Sequence, residues 1–277
     1  MKLIHLTDPH LVKPSLTLYG LDPRERLRQA VASINALHAN ADLVVITGDL
    51  AHWGEAAAYT ALAECLAGLT PPCVSILGNH DDRQAFHDAF PLGLRDVNGF
   101  VQGVRETAAG RLLFLDTNQP GTHMGWYCER RMAWLAERLA ESKGTPVFIF
   151  MHHPPFEVGL QPMDRISLQQ KAAFTALVRP HLADIRHLFY GHVHRPISGS
   201  WLGVPFSTLR ATSHQVWLDF NAHNDIPGSH EPPAYAVVLI APDTVVVHTH
   251  DFLDASRKFS LGEQSETDIA HVLEMTV

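Results

Sequence analysis

The sequence predicts an α/β protein in which buried strands alternate with helices. Three observations predict it. Six short runs, at residues 2–7, 43–47, 73–77, 112–115, 147–151 and 185–190, are rich in Val, Ile, Leu and Phe and stop at turn signals, as strands buried on both faces do. Longer stretches with helical periodicity lie between them, and alternation of this kind builds a layered α/β fold. After Trp201 the pattern changes to runs at 207–212, 234–240 and 244–250 with only loops between them, which predicts antiparallel strands forming a second sheet packed on the first.

The first helix opens at Asp22-Pro23-Arg24-Glu25. Asp suits the N-cap, Pro suits the first turn, and Glu three residues on completes a capping-box pattern. It runs to about residue 39, and further helices are expected near 55–67, 83–89, 129–142 and 167–182. The segment 221–233 is polar, holds three prolines and reads as an exposed loop. Residues 1–255 are expected to form one catalytic domain. Residues 256–277 form a polar tail with at most one helix, a candidate interface for self-association into a homo-oligomer.

Composition narrows the function classes. Of 277 residues, 46% are hydrophobic and 18% charged, enough to bury a sizeable core. Lys plus Arg number 21 against 29 Asp plus Glu, a net charge of -8 with no basic stripe, which disfavours long nucleic acid as a partner. Cys65, Cys73 and Cys128 are odd in number and widely spaced, so free, mostly buried thiols are expected rather than a disulfide framework. No stretch reaches the ~18 apolar residues of a membrane span. Residues 1–10 lack the apolar region and cleavage site of a signal peptide, and cytoplasmic residence is the expectation.

The chemistry lies at the ends of the strands. Asp8-Pro9-His10, Gly48-Asp49, Gly78-Asn79-His80-Asp81, His152-His153-Pro154-Pro155 and Gly191-His192-Val193-His194 each come directly after an apolar run. In α/β sheets, ligands gather outside the carboxyl ends of strands. Residues i and i+2 of extended chain point the same way, so Asp8 with His10, and His192 with His194, can each aim two side chains at one point. Asp8, His10, Asp49, Asn79, His152, His192 and His194 thus form a candidate ligand set of carboxylate, amide oxygen and imidazole. Such a set suits Mn, Fe, Zn or Co better than Ca or Mg. Seven ligands exceed the needs of one ion and fit two divalent ions that share a bridging carboxylate. His248 and His250 lack a Gly turn and partner ligands and read as an ordinary strand; His5 and His187 read as core.

With these five motifs the sequence resembles the calcineurin-like metallophosphoesterases over about residues 1–215, through D-x-H, G-D, G-N-H-[DE], a separate H and G-H-x-H. It is most similar to the branch of class III cyclic-nucleotide phosphodiesterases and bacterial glycerophosphodiesterases, on Tyr19-Gly20, Gly78-Asn79-His80-Asp81-Asp82, Gly121-Thr122, Gly125-Trp126, Met151-His152-His153-Pro154-Pro155 and Thr212-Ser213-His214-Gln215-Val216. The resemblance implies a four-layer αββα sandwich of two mixed sheets flanked by helices. It implies that Asp8, His10, Asp49 and His194 hold one metal and Asp49, Asn79, His152 and His192 the other, with Asp49 bridging. It also implies in-line attack of a metal-bridging hydroxide on a small phosphodiester. His80 would contact the phosphate, with Asn79 beside it, and His80 or His214 would protonate the leaving group; Tyr19 and His123 would rim the pocket. Asp81 and Asp82 are candidates to orient the ligand histidines. The stretch Leu50-Ala51-His52-Trp53-Gly54 departs from the Asp-Arg-Gly of Ser/Thr protein phosphatases and from the Tyr that purple acid phosphatases carry at the position of His52.

Two substrate classes fit the resemblance: glycerophosphodiesters first, 3′,5′-cyclic nucleotides as the alternative. A nucleotide base would want an aromatic to stack on, and Trp53 and Trp126 are available, although core packing is the expectation for both. A metal-free protein-binding scaffold would have lost ligands, and all seven are present.

Overall fold

The computed structural model describes residues 1–261. In chain order the strands and helices are β1 (Lys2–Leu6), α1 (Pro23–His38), β2 (Leu43–Thr47), α2 (Ala56–Leu66), β3 (Cys73–Ile76), α3 (Arg83–Ala89), β4 (Gly103–Thr107) and β5 (Gly110–Phe114). Then come α4 (Glu129–Glu141), β6 (Val147–Phe150), α5 (Gln161–Arg165), α6 (Lys171–Val178), β7 (Ile185–Phe189), β8 (Ile197–Trp201) and β9 (Val204–Thr208). The short pair β10 (Gln215–Val216) and β11 (Gly228–Ser229) precedes β12 (Tyr235–Ile240) and β13 (Val245–His250). At α1, Asp22 caps as expected, its side chain accepting from the backbone N–H groups of Arg24 and Glu25.

Two large mixed sheets face each other, ordered β13-β12-β1-β2-β3 and β4-β5-β6-β7-β9-β8. Their layering comes from the period of two in each strand. Val44 and Ile46 of β2 pack with Leu27, Ile34, Leu62 and the rest of the α1–α2 core. Leu43 and Val45 of the same strand point the other way and meet Phe114, Phe148 and Phe150 of the second sheet. In that sheet Val147 and Ile149 pack outward with Leu135, Leu139 and Phe174 of α4 and α6. Three apolar layers between four layers of elements make the αββα sandwich the resemblance implied. Among the described residues no helix is long and apolar enough to cross a membrane.

The late strands correct one expectation. They do not build a sheet of their own. β12 pairs antiparallel with β1 and carries β13 at its edge, completing the first sheet, whereas β9 runs parallel to β7 in the second. The physical reason is burial: β12 reads Tyr235-Ala236-Val237-Val238 with all four buried, so it needs cover on both faces and finds it beside β1. The helix expected at 167–182 is shorter, with α6 passing into a 3-10 turn at Arg179–His181. Of the tail, residues 256–261 form no helix or strand, and the remainder of the interface expectation, with its helix, lies outside the described residues.

Candidate metal centre

β1, β2 and β3 of one sheet and β6 and β7 of the other end at a common rim, and the loops leaving them carry all seven candidate ligands. Asp8, His10, Asp49 and His194 bring one ligand atom each to within 4.8 Å of one another, all buried. Two imidazoles and an amide gather beside them: His152 Nε2 is 3.2 Å from Asn79 Oδ1 and 3.4 Å from Asp49 Oδ1, and the His152 and His192 rings are 5.1 Å apart. Asp49 lies between the groups, its Oδ2 3.5 Å from His10 Nε2 and its Oδ1 toward His152.

The backbone is bent sharply to reach this arrangement. Asp8, His10, Asp49, His192 and His194 have φ of 52, 47, 49, 71 and 46°, in the left-handed region that side chains other than Gly seldom adopt. Close approach also demands glycine: a Cβ on Gly78 would collide with the side chain and backbone of Asp49, and one on Gly191 with Thr7 and Thr47.

Neighbouring groups fix the imidazole tautomers. A carbonyl oxygen only accepts, so His152 Nδ1 donates to Thr47 O (2.7 Å) and His194 Nδ1 donates to His214 O (2.8 Å), which turns each Nε2 toward the carboxylates and makes it the ligating atom of the neutral ring. His10 Nε2 and His194 Nε2 lie 3.1 Å apart, and His10 Nδ1 is 3.0 Å from His52 Nδ1. His192 Nε2 is buried and has no hydrogen-bond partner. Neither Asp8 nor Asp49 pairs with Lys or Arg among the described residues; their ion-pair partners are histidines. Buried carboxylates without a Lys or Arg beside them, converging imidazole nitrogens and an orphaned imidazole nitrogen fit bound cations, which would displace the protons these groups otherwise share.

Electrostatics in the protein itself point the same way. Burial alone would raise the Asp49 carboxyl, but His152, His80 and His10 hold it well below the usual carboxylate range. Burial pulls His152 down, yet Asp49 and Asp8 bring it up to about 9. Burial, with His153 and His152 adjoining, keeps His192 well below its ordinary value. Burial and the neighbours His194 and His52 lower His214 to about 2.

The centre floors a cavity of about 720 Å³ lined on its polar side by His10, Tyr19, Asp49, Asn79, His80 and His214, with His52, His123, His192 and His194 adjoining. Tyr19 and His123 thus stand at the pocket as expected. Trp53 and Trp126 correct the expectation of core packing: they are 60% and 43% exposed, and neither lines the cavity. Trp53 sits between His52 and the left-handed Gly54, a tight bend that turns its ring outward.

The carboxylates expected to orient the ligand histidines do something else. Asp81 accepts from the N–H groups of Leu50, Ala51 and Gly78 and from the Tyr59 hydroxyl, so it ties the Asp49 loop to the Asn79 loop. Asp82 caps α3 through Ala85 N–H. Backbone carbonyls and His52 orient the ligands instead. Several positioning residues carry little sequence signal. Asn118 Nδ2 clamps the Asn79 loop through Gly78 O (2.7 Å) and Asp81 O (2.9 Å), and Arg83 and Arg131 hold Asn118 O. His153, although adjacent to His152, has both ring nitrogens engaged, with Thr117 Oγ1 and His123 O. Only the His52 spacing, three residues after Asp49, was visible in the sequence. His5 and His187 are core, bonded to Thr47 Oγ1 and Ser207 Oγ, and His248 and His250 lie in β13.

This chain belongs to the calcineurin-like phosphoesterase family, whose profile matches residues 1–196. Among its relatives, a protein of Rhodopseudomonas palustris named "Probable cyclic nucleotide phosphodiesterase" is 47% identical, over 95% of this chain and 97% of that one. The glycerophosphodiester phosphodiesterase GpdQ of Enterobacter lignolyticus is 32% identical, over 78% of this chain and 79% of that one. A dimetal phosphatase from Danio rerio shares the fold with a TM-score of 0.67 at 16% identity, over 91% and 96% of the two chains.

Proposed function

We propose that the chain is a metal-dependent phosphodiesterase acting on small phosphodiesters such as glycerophosphodiesters, with residues 1–255 as its catalytic domain. One observation carries this reading: two buried carboxylates with no Lys or Arg partner among the described residues face imidazoles whose Nδ1 atoms are engaged by backbone carbonyls, beside a cavity. Asp8, His10, Asp49 and His194 would hold one ion and Asp49, Asn79, His152 and His192 a second, of the Mn, Fe, Zn or Co type. Such ions supply Lewis acidity, which acidifies water and offsets charge on a phosphate.

The chain's own groups do the rest. His80 Nδ1 donates to His52 O (2.7 Å), which leaves Nε2 for the cavity. As an imidazolium it donates from Nε2 to a phosphoryl or leaving oxygen. Asn79 Nδ2 is 2.9 Å from His123 Nδ1, which keeps its Oδ1 directed at His152. His214 also lines the cavity, but burial and the neighbours His194 and His52 keep its ring neutral, which leaves His80 as the favoured donor to the leaving group. Cytoplasmic residence belongs to the proposal and is supported by three free cysteines, one buried and two partly buried.

The test is hydrolysis of bis(4-nitrophenyl) phosphate and of the monoester by metal-stripped protein, with Mn²⁺, Zn²⁺ or Co²⁺ restored. Diester turnover should return with metal. Asn79→Ala and His80→Ala should each lower kcat by about 10² or more with an unchanged circular dichroism spectrum; wild-type turnover in both would overturn the assignment. A second reading, hydrolysis of 3′,5′-cyclic nucleotides, is favoured by the near full-length likeness to the Rhodopseudomonas protein. Comparing glycerophosphocholine with cyclic AMP as substrates separates the two.

A further inference from the structure

Asp116 follows β5, is fully buried, and has two arginines converging on it. Arg83, the first residue of α3, donates to both of its carboxylate oxygens, Nε to Oδ2 at 2.8 Å and Nη2 to Oδ1 at 3.0 Å. Arg131 of α4 is also buried and donates from Nη1 to the Asp116 carbonyl (2.7 Å). The carboxylate accepts in addition from the N–H groups of Val101 (2.8 Å) and Asn118 (3.0 Å). Desolvation offsets much of the attraction within a buried ion cluster, so stability alone accounts poorly for this one. The cluster fixes Asn118. Arg83 Nη2 donates to both the carbonyl (3.1 Å) and Oδ1 (3.2 Å) of Asn118, and Arg131 to the same carbonyl (3.0 Å). With Oδ1 so held, Nδ2 has two N–H groups to give, and it meets the two carbonyls that bracket Asn79 and His80, those of Gly78 and Asp81.

We propose that Asn118, locked by Asp116, Arg83 and Arg131, is a positioning residue that sets the affinity of the second ion position, the one with Asn79, and leaves the first unaffected. This rests on the two-ion reading of the site. The bracketed loop leaves β3 of the first sheet, whereas Asn118 follows β5 of the second, so the clamp crosses the seam between the sheets. The second position needs that seam fixed, because Asn79 comes from the first sheet while His152 and His192 come from the second. Asn79 Oδ1 stands 3.2 Å from His152 Nε2, and the His80 N–H donates to Asp49 Oδ1 (2.9 Å), the oxygen that faces His152. A shift of the loop therefore moves two ligand atoms of the second position together. The first position is held by other contacts: Asp8 N–H to Gly48 O, His10 N–H to Asp49 O, and His194 Nδ1 to His214 O.

The test is calorimetric titration of the metal-stripped protein with Mn²⁺, with the electron paramagnetic resonance spectrum recorded at each addition. Wild type should take two ions per chain and show the broadened spectrum of a coupled pair. Asn118→Asp keeps the size of the side chain and its arginine contacts but sets an oxygen against two carbonyl oxygens. It should bind one ion with wild-type affinity and the second about 10- to 100-fold more weakly. At a Mn²⁺ concentration that fills both wild-type positions, its spectrum should be that of a lone ion. Arg83→Lys keeps the charge beside Asp116 and loses the forked contacts to Asn118; it should show the same selective loss in smaller measure, and it decides the matter if Asn118→Asp does not fold. A general loss of structure would weaken both ions together. Parallel weakening of both ions, or of neither, in the folded variant would overturn the positioning role. A wild type that takes fewer than two ions would sink the two-ion reading itself. Turnover of bis(4-nitrophenyl) phosphate in the same preparation reads the activity separately: selective ion loss in the variant with no turnover in the wild type would keep the positioning role and sink the phosphodiesterase reading.

Discussion

At the scale of single residues, the site is built from conformations that cost free energy. Each left-handed non-glycine residue costs about 1–3 kcal/mol, and five ligand candidates carry that cost. They persist because backbone hydrogen bonds over-determine them: Asp8 N–H donates to Gly48 O, His10 N–H to Asp49 O, and His192 N–H to both Asp8 oxygens. His52 has a related role. Its ring contacts His10 Nδ1 and stacks on His80 at 4.6 Å, and its carbonyl accepts from His80. His52→Ala should therefore weaken metal retention about 10- to 100-fold, read by chelator competition, and lower kcat in parallel. Unchanged metal affinity would show that His10 needs no such support.

At the scale of elements, the inter-sheet layer places the strand ends. Phe150 of β6 stacks between Phe114 (5.3 Å) and Phe189 (4.7 Å), two residues before His152. Phe150→Ala should cost about 3–5 kcal/mol, measured by urea unfolding. It should also disturb the site, because the cavity opens directly under the His152 loop. A loss below about 1 kcal/mol would mean the two sheets close over the gap.

At the scale of the whole molecule, protons and metals both couple to folding. Burial pushes His187 down to about 4, and burial with the nearby His187 pushes His5 to about 3. Their folded values lie below the unfolded value near 6.5, so the unfolded chain binds the extra protons, and stability falls as pH drops below about 6.5. For His187 alone this amounts to about 2 kcal/mol between pH 7 and pH 5. His187→Gln, which can keep a hydrogen bond to Ser207, should flatten that part of the stability-versus-pH curve; an unaltered slope would refute the assignment. The centre acts in the same sense: metal bound to the native state alone should raise Tm, by about 4 kcal/mol of stability at a thousandfold excess over Kd. Equal Tm with and without chelator would contradict the fit of the buried carboxylates to cations.

Much of this was legible in the sequence by itself. Strand ends are local events: an apolar run followed by Gly-Asp or Gly-His fixes both the strand and the rim residue, so the α/β class and the seven ligand candidates could be read from order and spacing. Asp22 at the start of α1 was legible for the same reason, since a cap is satisfied within one turn. Tertiary structure decided whatever depends on partners distant in the chain. β12 lies beside β1 across the length of the chain because a fully apolar strand must be covered on both faces, and no local pattern names the covering strand. Asp81 binds backbone rather than histidine because the Leu50–Ala51 loop folds over it. Asn118 reaches the Asn79 loop from far along the sequence, held by Arg83 and Arg131. The cavity's apolar wall likewise joins α5 to the β10–β11 pair, which only packing of the complete chain brings together.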